Sequence, residues 1–168
     1  MTAPLRLLAV DAEDLAVIAD LLVDARVPLS EMAYDPETHR FMAAFARYRH
    51  ERRAKDGDLT ETTSILVFEH VRAALWRGLE PASPDVEHRL LTVVDAESDE
   101  LTDPDEFETP LPEPECAEGC TAVTLYFQSG EAIRLTIERL ECHLQDVGEP
   151  RPATAPSTLA AIEPGRES

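Results

Sequence analysis

The first clear pattern along the chain is a helical spacing of apolar side chains. Within residues 12–25 these side chains fall mostly three or four positions apart: Leu15, Ile18, Leu21, Leu22 and Ala25. This spacing places them on one face of a helix. Asp11 stands where an N-cap is needed, and Glu13 and Asp14 would complement the exposed N–H groups of the first turn. The sequence therefore predicts a helix that begins after Asp11 and buries one face.

From Val27 onwards the apolar pattern changes to a period of two. The stretches "VPLSEMAY" and "HRFMAAFARYR" flank "DPET", in which Pro36 favours a turn and Asp35 can accept a hydrogen bond from the backbone ahead of it. In the second stretch Phe41, Ala43 and Phe45 share one face. We interpret these residues as a β-hairpin.

Four further segments favour strands. "LRLLAVD" precedes the helix, the run from Ser64 to Trp76 is rich in β-branched and aromatic residues at its start, and "HRLLTVVDAE" follows a loop. The fourth segment is "TAVTLYFQSGEAIRLTIERLECHLQD", in which Ser129 and Gly130 form the turn of a second hairpin. If the pairing of this hairpin is extended, Cys116 would face His143. The sequence thus predicts one long strand over Ser64–Trp76 and a tight hairpin near the end of the chain.

The last predicted strand contains an irregularity. Ile133, Leu135 and Ile137 alternate on one face, but the later apolar residues have the opposite parity: Leu140, Cys142 and Leu144. A β-bulge between Glu138 and Leu140 accounts for this slip. The alternative is a helical stripe formed by Ile133, Ile137, Leu140 and Leu144.

These elements predict an α+β fold with a single curved antiparallel sheet of about seven strands, in a roll or open barrel, and an N-terminal helix. The domain is expected to span residues 1–148. Residues 98–118, "SDELTDPDEFETPLPEPECAE", combine four prolines with many acids, and we expect a disordered insertion there. Residues 149–168 form a Pro/Ala-rich tail that we also expect to be disordered.

Charge changes the picture of possible partners. The chain has 15 basic and 34 acidic residues and a net charge of −19, and such a field repels nucleic-acid phosphates and anionic lipids. We therefore expect neither nucleic acid nor membrane as a partner. Acids interrupt the apolar start of the chain, which indicates no signal peptide, and no segment is long enough to span a membrane. The expected location is the cytoplasm.

The cysteines raise the question of a metal. Cys116 and Cys120 are four residues apart, and Cys142 is followed by His143. Three cysteines without an export signal favour reduced thiols. Zinc bound by Cys116, Cys142 and His143 is one hypothesis, but consecutive residues in a strand point to opposite faces. The simpler interpretation is that Cys142 is a small buried residue and that no cofactor is bound.

No catalytic motif is apparent, because the chain has neither a nucleophile elbow nor a glycine-rich phosphate loop. We therefore favour a non-catalytic interaction module that binds another protein. Its contact surface could be strand edges, the acidic insertion or the basic end of the first hairpin. Four arginines mark that basic end: Arg47, Arg49, Arg52 and Arg53. The alternative function is a metal- or small-ligand-binding protein that uses Cys116, Cys142 and His143.

Three stretches together resemble a bacterial domain-of-unknown-function family, number 2948. They are "DAEDLAVIADLLVDA", "MAYDPETHRFMAAFARYRHE" and "GEAIRLTIERLECHLQDVG". The resemblance covers residues 5–148 apart from the acidic insertion. It implies a small cytoplasmic protein, often encoded near cell-wall-precursor and histidine-pathway enzymes, and it brings no catalytic residues. The chain departs from the family pattern at Val23, where Gln is usual, and at His50, where Trp is usual.

Overall fold

The computed structural model describes residues 5–49, 60–96 and 120–152 of the 168-residue chain. Within them lie one α-helix, a 3₁₀ turn at Leu29–Glu31 and ten strands. The helix α1 spans Ala12–Leu22. The strands are β1 Arg6–Ala9, β2 Arg26–Pro28, β3 Met32–Asp35, β4 Arg40–Tyr48, β5 Thr60–Phe68, β6 Val71–Arg77, β7 Glu87–Asp95, β8 Thr121–Phe127, β9 Ala132–Ile137 and β10 Cys142–Pro152.

Helix α1 forms as its sequence predicts. The Asp11 carboxylate accepts a hydrogen bond from the Asp14 N–H at 2.9 Å, which satisfies one of the unpaired N–H groups of the first turn. Leu15, Ile18, Ala19 and Leu22 are buried. The buried face packs mainly on β7, with further contacts to β1 and β4. Both the capping residue and the apolar stripe are therefore confirmed.

The first hairpin is also confirmed, since β3 pairs with β4 in antiparallel register. Met32 faces Ala43 at one end of the pairing, and Asp35 faces Arg40 at the other. The Asp35 carboxylate accepts a hydrogen bond from the Glu37 N–H at 2.9 Å. This bond lowers the pKa of Asp35, and a side-chain hydrogen bond from Thr38 adds to the effect. The "DPET" turn is thus stabilised by hydrogen bonds that the side chain of its first residue accepts.

All strand pairs are antiparallel, and the strands follow the order β1-β10-β5-β4-β2-β7-β8-β9-β6, with β3 paired to β4 beside this path. The sheet is open, because β1 and β6 end the path without pairing to each other. A largely antiparallel open sheet with an N-terminal helix was predicted. The expected number of about seven strands was wrong, since ten are present among the described residues.

Two chain breaks explain much of the excess. The single strand predicted over Ser64–Trp76 is two strands, because the chain turns at Glu69 and His70, where His70 has a φ of 59°. β5 pairs with β4 and β10, whereas β6 pairs with β9. The predicted bulge after Glu138 is likewise a complete break between β9 and β10. The parity slip was real, but its cause is a change of strand partners.

The second hairpin turns at Ser129 and Gly130, as predicted, and Gly130 adopts a φ of 101° that favours glycine. Its register differs by one residue from the prediction. Thr121 pairs with Ile137 rather than with Glu138. Because β9 then ends at Ile137, the predicted pairing of Cys116 with His143 does not follow from this hairpin.

The inward face of β10, β5 and β4 changes character along its length. Cys142, Phe68 and Phe41 pair across the three strands at one end, and Leu144, Leu66 and Ala43 form the next buried row. The third row, Asp146, Ser64 and Phe45, already contains two polar side chains. The core is therefore apolar at one end of these strands and polar at the other.

The predicted domain end at Gly148 lies inside β10, which continues to Pro152. Gly148 has a φ of 77°, and the pairing with β5 shifts between Val147 and Arg151. The rest of the predicted tail and the acidic insertion at 98–118 lie outside the described residues. No helix in the described parts of the chain combines the length and the apolar character needed to cross a membrane.

Candidate functional site

The predicted metal ligands do not converge in the part of the chain that the structure describes. Cys142 is fully buried, and this burial raises the pKa of its thiol. His143, the next residue in β10, points to the other face and is 42% exposed at its side chain. Cys116 lies outside the described residues. Cys120 is disulfide-bonded, so the expectation that all thiols are reduced is wrong for this residue.

His143 instead joins a cluster at the corner where β5 leads into β6 and β10 begins. We call Glu69, His70, Glu141 and His143 the corner cluster. The Glu141 carboxylate lies 3.1 Å from Nε2 of His70 through one oxygen and 3.1 Å from Nε2 of His143 through the other. Side-chain ligand atoms of Glu69, Glu141 and His143 lie within 4.8 Å of one another. The corner cluster thus brings imidazole nitrogens and carboxylate oxygens together.

Charge and backbone hydrogen bonds stabilise this corner. The hydrogen bond from His70 lowers the pKa of Glu141, and the one from His143 adds to it. Nε of Arg40 lies 3.1 and 3.2 Å from the two oxygens of Glu69. The Glu69 N–H donates to the Glu141 carbonyl at 2.9 Å, so the two chain segments that carry the cluster are joined through the backbone.

Sequence reasoning missed most of the corner cluster. Glu69 and His70 stand inside an apolar run that looked like one strand, and Glu141 stands in the segment interpreted as a bulged strand. A signal was available, because "EH" and "ECH" place polar residues at the two points where the alternation fails. Their proximity, however, depends on β5 and β10 being neighbours, which local pattern does not reveal.

The predicted basic surface is different in the structure. Arg47 is fully buried, and its guanidinium bonds to Asp146, with Nη2 to Oδ2 at 2.8 Å and Nε to Oδ1 at 3.2 Å. Its Nε also donates to Ser64 Oγ at 3.1 Å, and Ser64 donates to Asp146. The prediction that Arg47 belongs to an exposed surface was therefore wrong, because its charged side chain is buried inside the sheet.

The reason for this burial is visible in the alternation. Arg47 has the same parity in β4 as Phe41, Ala43 and Phe45, so its side chain points inward with theirs. Asp146 likewise follows Cys142 and Leu144 on the inward face of β10. Both charges occupy core positions and neutralise each other.

A second polar group lies near the same end of the sheet. Glu61, with 3% side-chain exposure, accepts two hydrogen bonds from Nη2 of Arg26 at 2.8 and 2.9 Å. Nη2 of Arg151 lies 2.8 Å from the same carboxylate. The guanidinium of Arg26 also stacks on the ring of Tyr48, at 5.9 Å from its centroid. These contacts tie β2, β4, β5 and β10 together.

The remaining predicted basic residues are only partly described. Arg49 is half-buried, and its Nη1 lies 3.4 Å from Thr60 Oγ1. Arg52 and Arg53 lie outside the described residues. Of the two predicted arginines that the structure describes, Arg47 is buried and Arg49 is partly accessible.

An apolar cavity of about 270 Å³ lies between β3 and β6. We call it the seam cavity. Its walls come from β3, β4, β6, β9 and the flanking turns, and they are almost wholly apolar. The lining includes Met32, Ala33, Tyr34, Ala74, Trp76 and Ile133. Trp76, the single tryptophan of the chain, is 43% exposed at its rim.

The seam cavity lies between two strands that each have one partner among the described strands. β3 pairs with β4, and β6 pairs with β9. The Tyr34 hydroxyl donates to the Val71 carbonyl at 3.1 Å and so connects the two strands. Burial raises the pKa of Tyr34, with a smaller opposing effect from the Arg72 charge. Sequence reasoning missed this cavity, because β6 was not recognised as a separate strand.

Comparison with known proteins places the chain in a family. No curated protein and no solved structure matches it. A family model described as "Protein of unknown function (DUF2948)" matches residues 5–158, which include every described element. The resemblance found in the sequence is thereby confirmed. The chain belongs to this family of proteins of unknown function.

Proposed function

We propose that the protein is a non-catalytic interaction module that binds an extended segment of a partner protein at the seam cavity. The observation that carries this proposal is an apolar cavity between two strands, each of which pairs with one other strand in the described part of the sheet. Added peptide strands gain affinity from main-chain hydrogen bonds and specificity from pockets that take alternate side chains. The seam cavity offers both features in one place.

The size of the cavity favours a side chain over a complete small ligand. Its volume of about 270 Å³ is below the roughly 300–1,000 Å³ of pockets that enclose drug-sized molecules. Such pockets also need convergent polar groups that orient the ligand. In the lining, the Tyr34 hydroxyl already donates to the Val71 carbonyl. One or two large apolar side chains of a peptide are therefore the best fit.

Charge suggests what should flank those side chains. The chain carries a net charge of −19, and two acids follow the cavity-lining residues of β3: Asp35 ends the strand and Glu37 lies in the turn after it. Opposite charge steers association, so we propose Lys or Arg on either side of the apolar residues. The same net charge disfavours nucleic acid and anionic membranes as partners. A cytoplasmic location remains part of the proposal.

Panning a random peptide library against the full chain tests the idea. The expected peptides contain one or two large apolar residues flanked by basic ones, and they should quench or shift the fluorescence of Trp76. Ala33→Phe narrows the cavity and should weaken the enriched peptides at least ten-fold, measured by isothermal titration calorimetry. Ala16→Phe, on the exposed face of α1, is the matched control and should have no effect. Equal affinity in both variants would refute the seam as the binding site.

A further inference from the structure

We propose that the corner cluster binds a divalent metal ion, with zinc as the preferred ion. The ligands would be Nε2 of His143 and one oxygen each from Glu69 and Glu141. These three atoms lie within 4.8 Å of one another, although Glu69 follows β5 while Glu141 and His143 lie just before and within β10. This site differs in two of its three ligands from the one suggested by the cysteines, and it is separate from the seam cavity.

The distance between the ligand atoms of His143 and Glu141 is close to what a zinc ion requires. Zinc bonds to nitrogen and oxygen measure roughly 2.0–2.2 Å in tetrahedral sites, so neighbouring ligand atoms stand about 3.3–3.6 Å apart. Nε2 of His143 and Oε2 of Glu141 are 3.1 Å apart. The side chains of Glu69 and His143 are 19% and 42% exposed, which leaves them room for the remaining adjustment. Rotation of the Glu69 side chain would bring the third ligand atom into this range.

Two neighbouring residues position the ligands. His70 contacts the Glu141 oxygen that His143 does not contact, at 3.1 Å. Arg40 holds both oxygens of Glu69 through Nε. Hydrogen bonds of this kind orient carboxylate ligands, and their loss typically weakens metal affinity by about 10–100-fold. The backbone bond from Glu69 to Glu141 fixes the two strands that supply the ligands.

The donor set selects among ions. An imidazole nitrogen with two carboxylates suits zinc better than calcium or magnesium, which prefer all-oxygen shells with more ligands. Three protein ligands leave the fourth tetrahedral position for water or for a group from a partner. The cluster thus resembles an open zinc site in its ligand number.

The experiment titrates the full chain with Zn²⁺ by isothermal titration calorimetry and with Co²⁺ by visible spectroscopy. We expect one ion per chain and a tetrahedral cobalt spectrum without a thiolate charge-transfer band. His143→Gln and Glu141→Gln should each weaken binding by at least ten-fold. His88→Gln, which changes a histidine that faces Glu131 elsewhere in the sheet, is the matched control and should bind normally.

His70 has its own test, because it would act through Glu141. His70→Ala should weaken zinc binding about ten-fold or more, whereas His70→Gln keeps an N–H donor and should retain most of the affinity. Circular dichroism and thermal unfolding without metal check that each variant folds. A thiolate band, affinity unaffected by the His143 and Glu141 variants, or no saturable binding in the folded wild type would each overturn the proposal.

Discussion

Replacing Asp146 with asparagine tests the most heavily buried charge pair in the described structure. The change preserves the size and shape of the side chain, but it removes the negative charge opposite Arg47. Arg47 is completely buried and Asp146 is 7% exposed, so water cannot readily replace the lost partner. An asparagine amide at this position would offer one oxygen where the carboxylate offers two to the guanidinium.

The expected loss of stability follows from these contacts. Removing one member of a buried ion pair typically costs about 3–5 kcal/mol, because the other charge stays buried without compensation. Two charge-assisted hydrogen bonds at about 1.5–3 kcal/mol each give a similar figure. Single domains are stable by about 5–15 kcal/mol. Asp146→Asn should therefore remove at least about a fifth of the stability and lower Tm by about 6–20 °C.

Urea unfolding followed by circular dichroism measures this loss, and Glu149→Gln is the matched control. Glu149 is an exposed acid on the same strand, and its conservative change should cost less than about 0.5 kcal/mol. The double variant Arg47→Met with Asp146→Leu removes both charges and should be more stable than Asp146→Asn alone. A loss of stability below about 1 kcal/mol for Asp146→Asn would refute the reasoning that Asp146 is needed to compensate the buried charge of Arg47.

Three further predictions concern local features. Asp11→Ala removes the N-cap of α1 and should cost about 1 kcal/mol in urea unfolding, whereas Asp20→Ala on the exposed face should cost nothing. Because burial raises the pKa of Cys142, its thiol should resist alkylation in the folded protein and react after unfolding, as peptide mass mapping would show. Because the folded protein lowers the pKa of Asp35, the ionised carboxylate stabilises the fold at pH values above its unfolded-state pKa. This contribution is lost as pH falls through the folded-state pKa. The Asp35→Asn variant should therefore lose less stability between pH 7 and pH 3 than the wild type, as measured by urea unfolding.

Features that depend on nearby residues could be predicted from the sequence alone. The N-cap and apolar stripe of α1, the "DPET" turn and the turn at Ser129 and Gly130 each involve a few consecutive residues. Their physical causes, such as a side chain bonding the next turn or a glycine at positive φ, act over short distances along the chain. The net charge was likewise fixed by composition.

Tertiary structure decided where the long apolar runs break and which strands meet. The run Ser64–Trp76 satisfies a strand pattern throughout, but β5 and β6 have different partners, so the chain must turn at Glu69 and His70. The same pairing brings Glu69 next to Glu141 and His143, which are over seventy positions away in the chain. Such proximity depends on strand order, because local alternation fixes only the face to which a side chain points.

Arg47 combines both kinds of information. Its parity with Phe41, Ala43 and Phe45 was present in the sequence and pointed to burial. The local pattern did not reveal the acid that compensates the buried guanidinium. That acid is Asp146, which lies ninety-nine residues later in the chain, on β10, and contacts Arg47 across β5. A charged side chain can be buried in the core when an opposite charge pairs with it, and the tertiary structure determines whether such a partner is close enough.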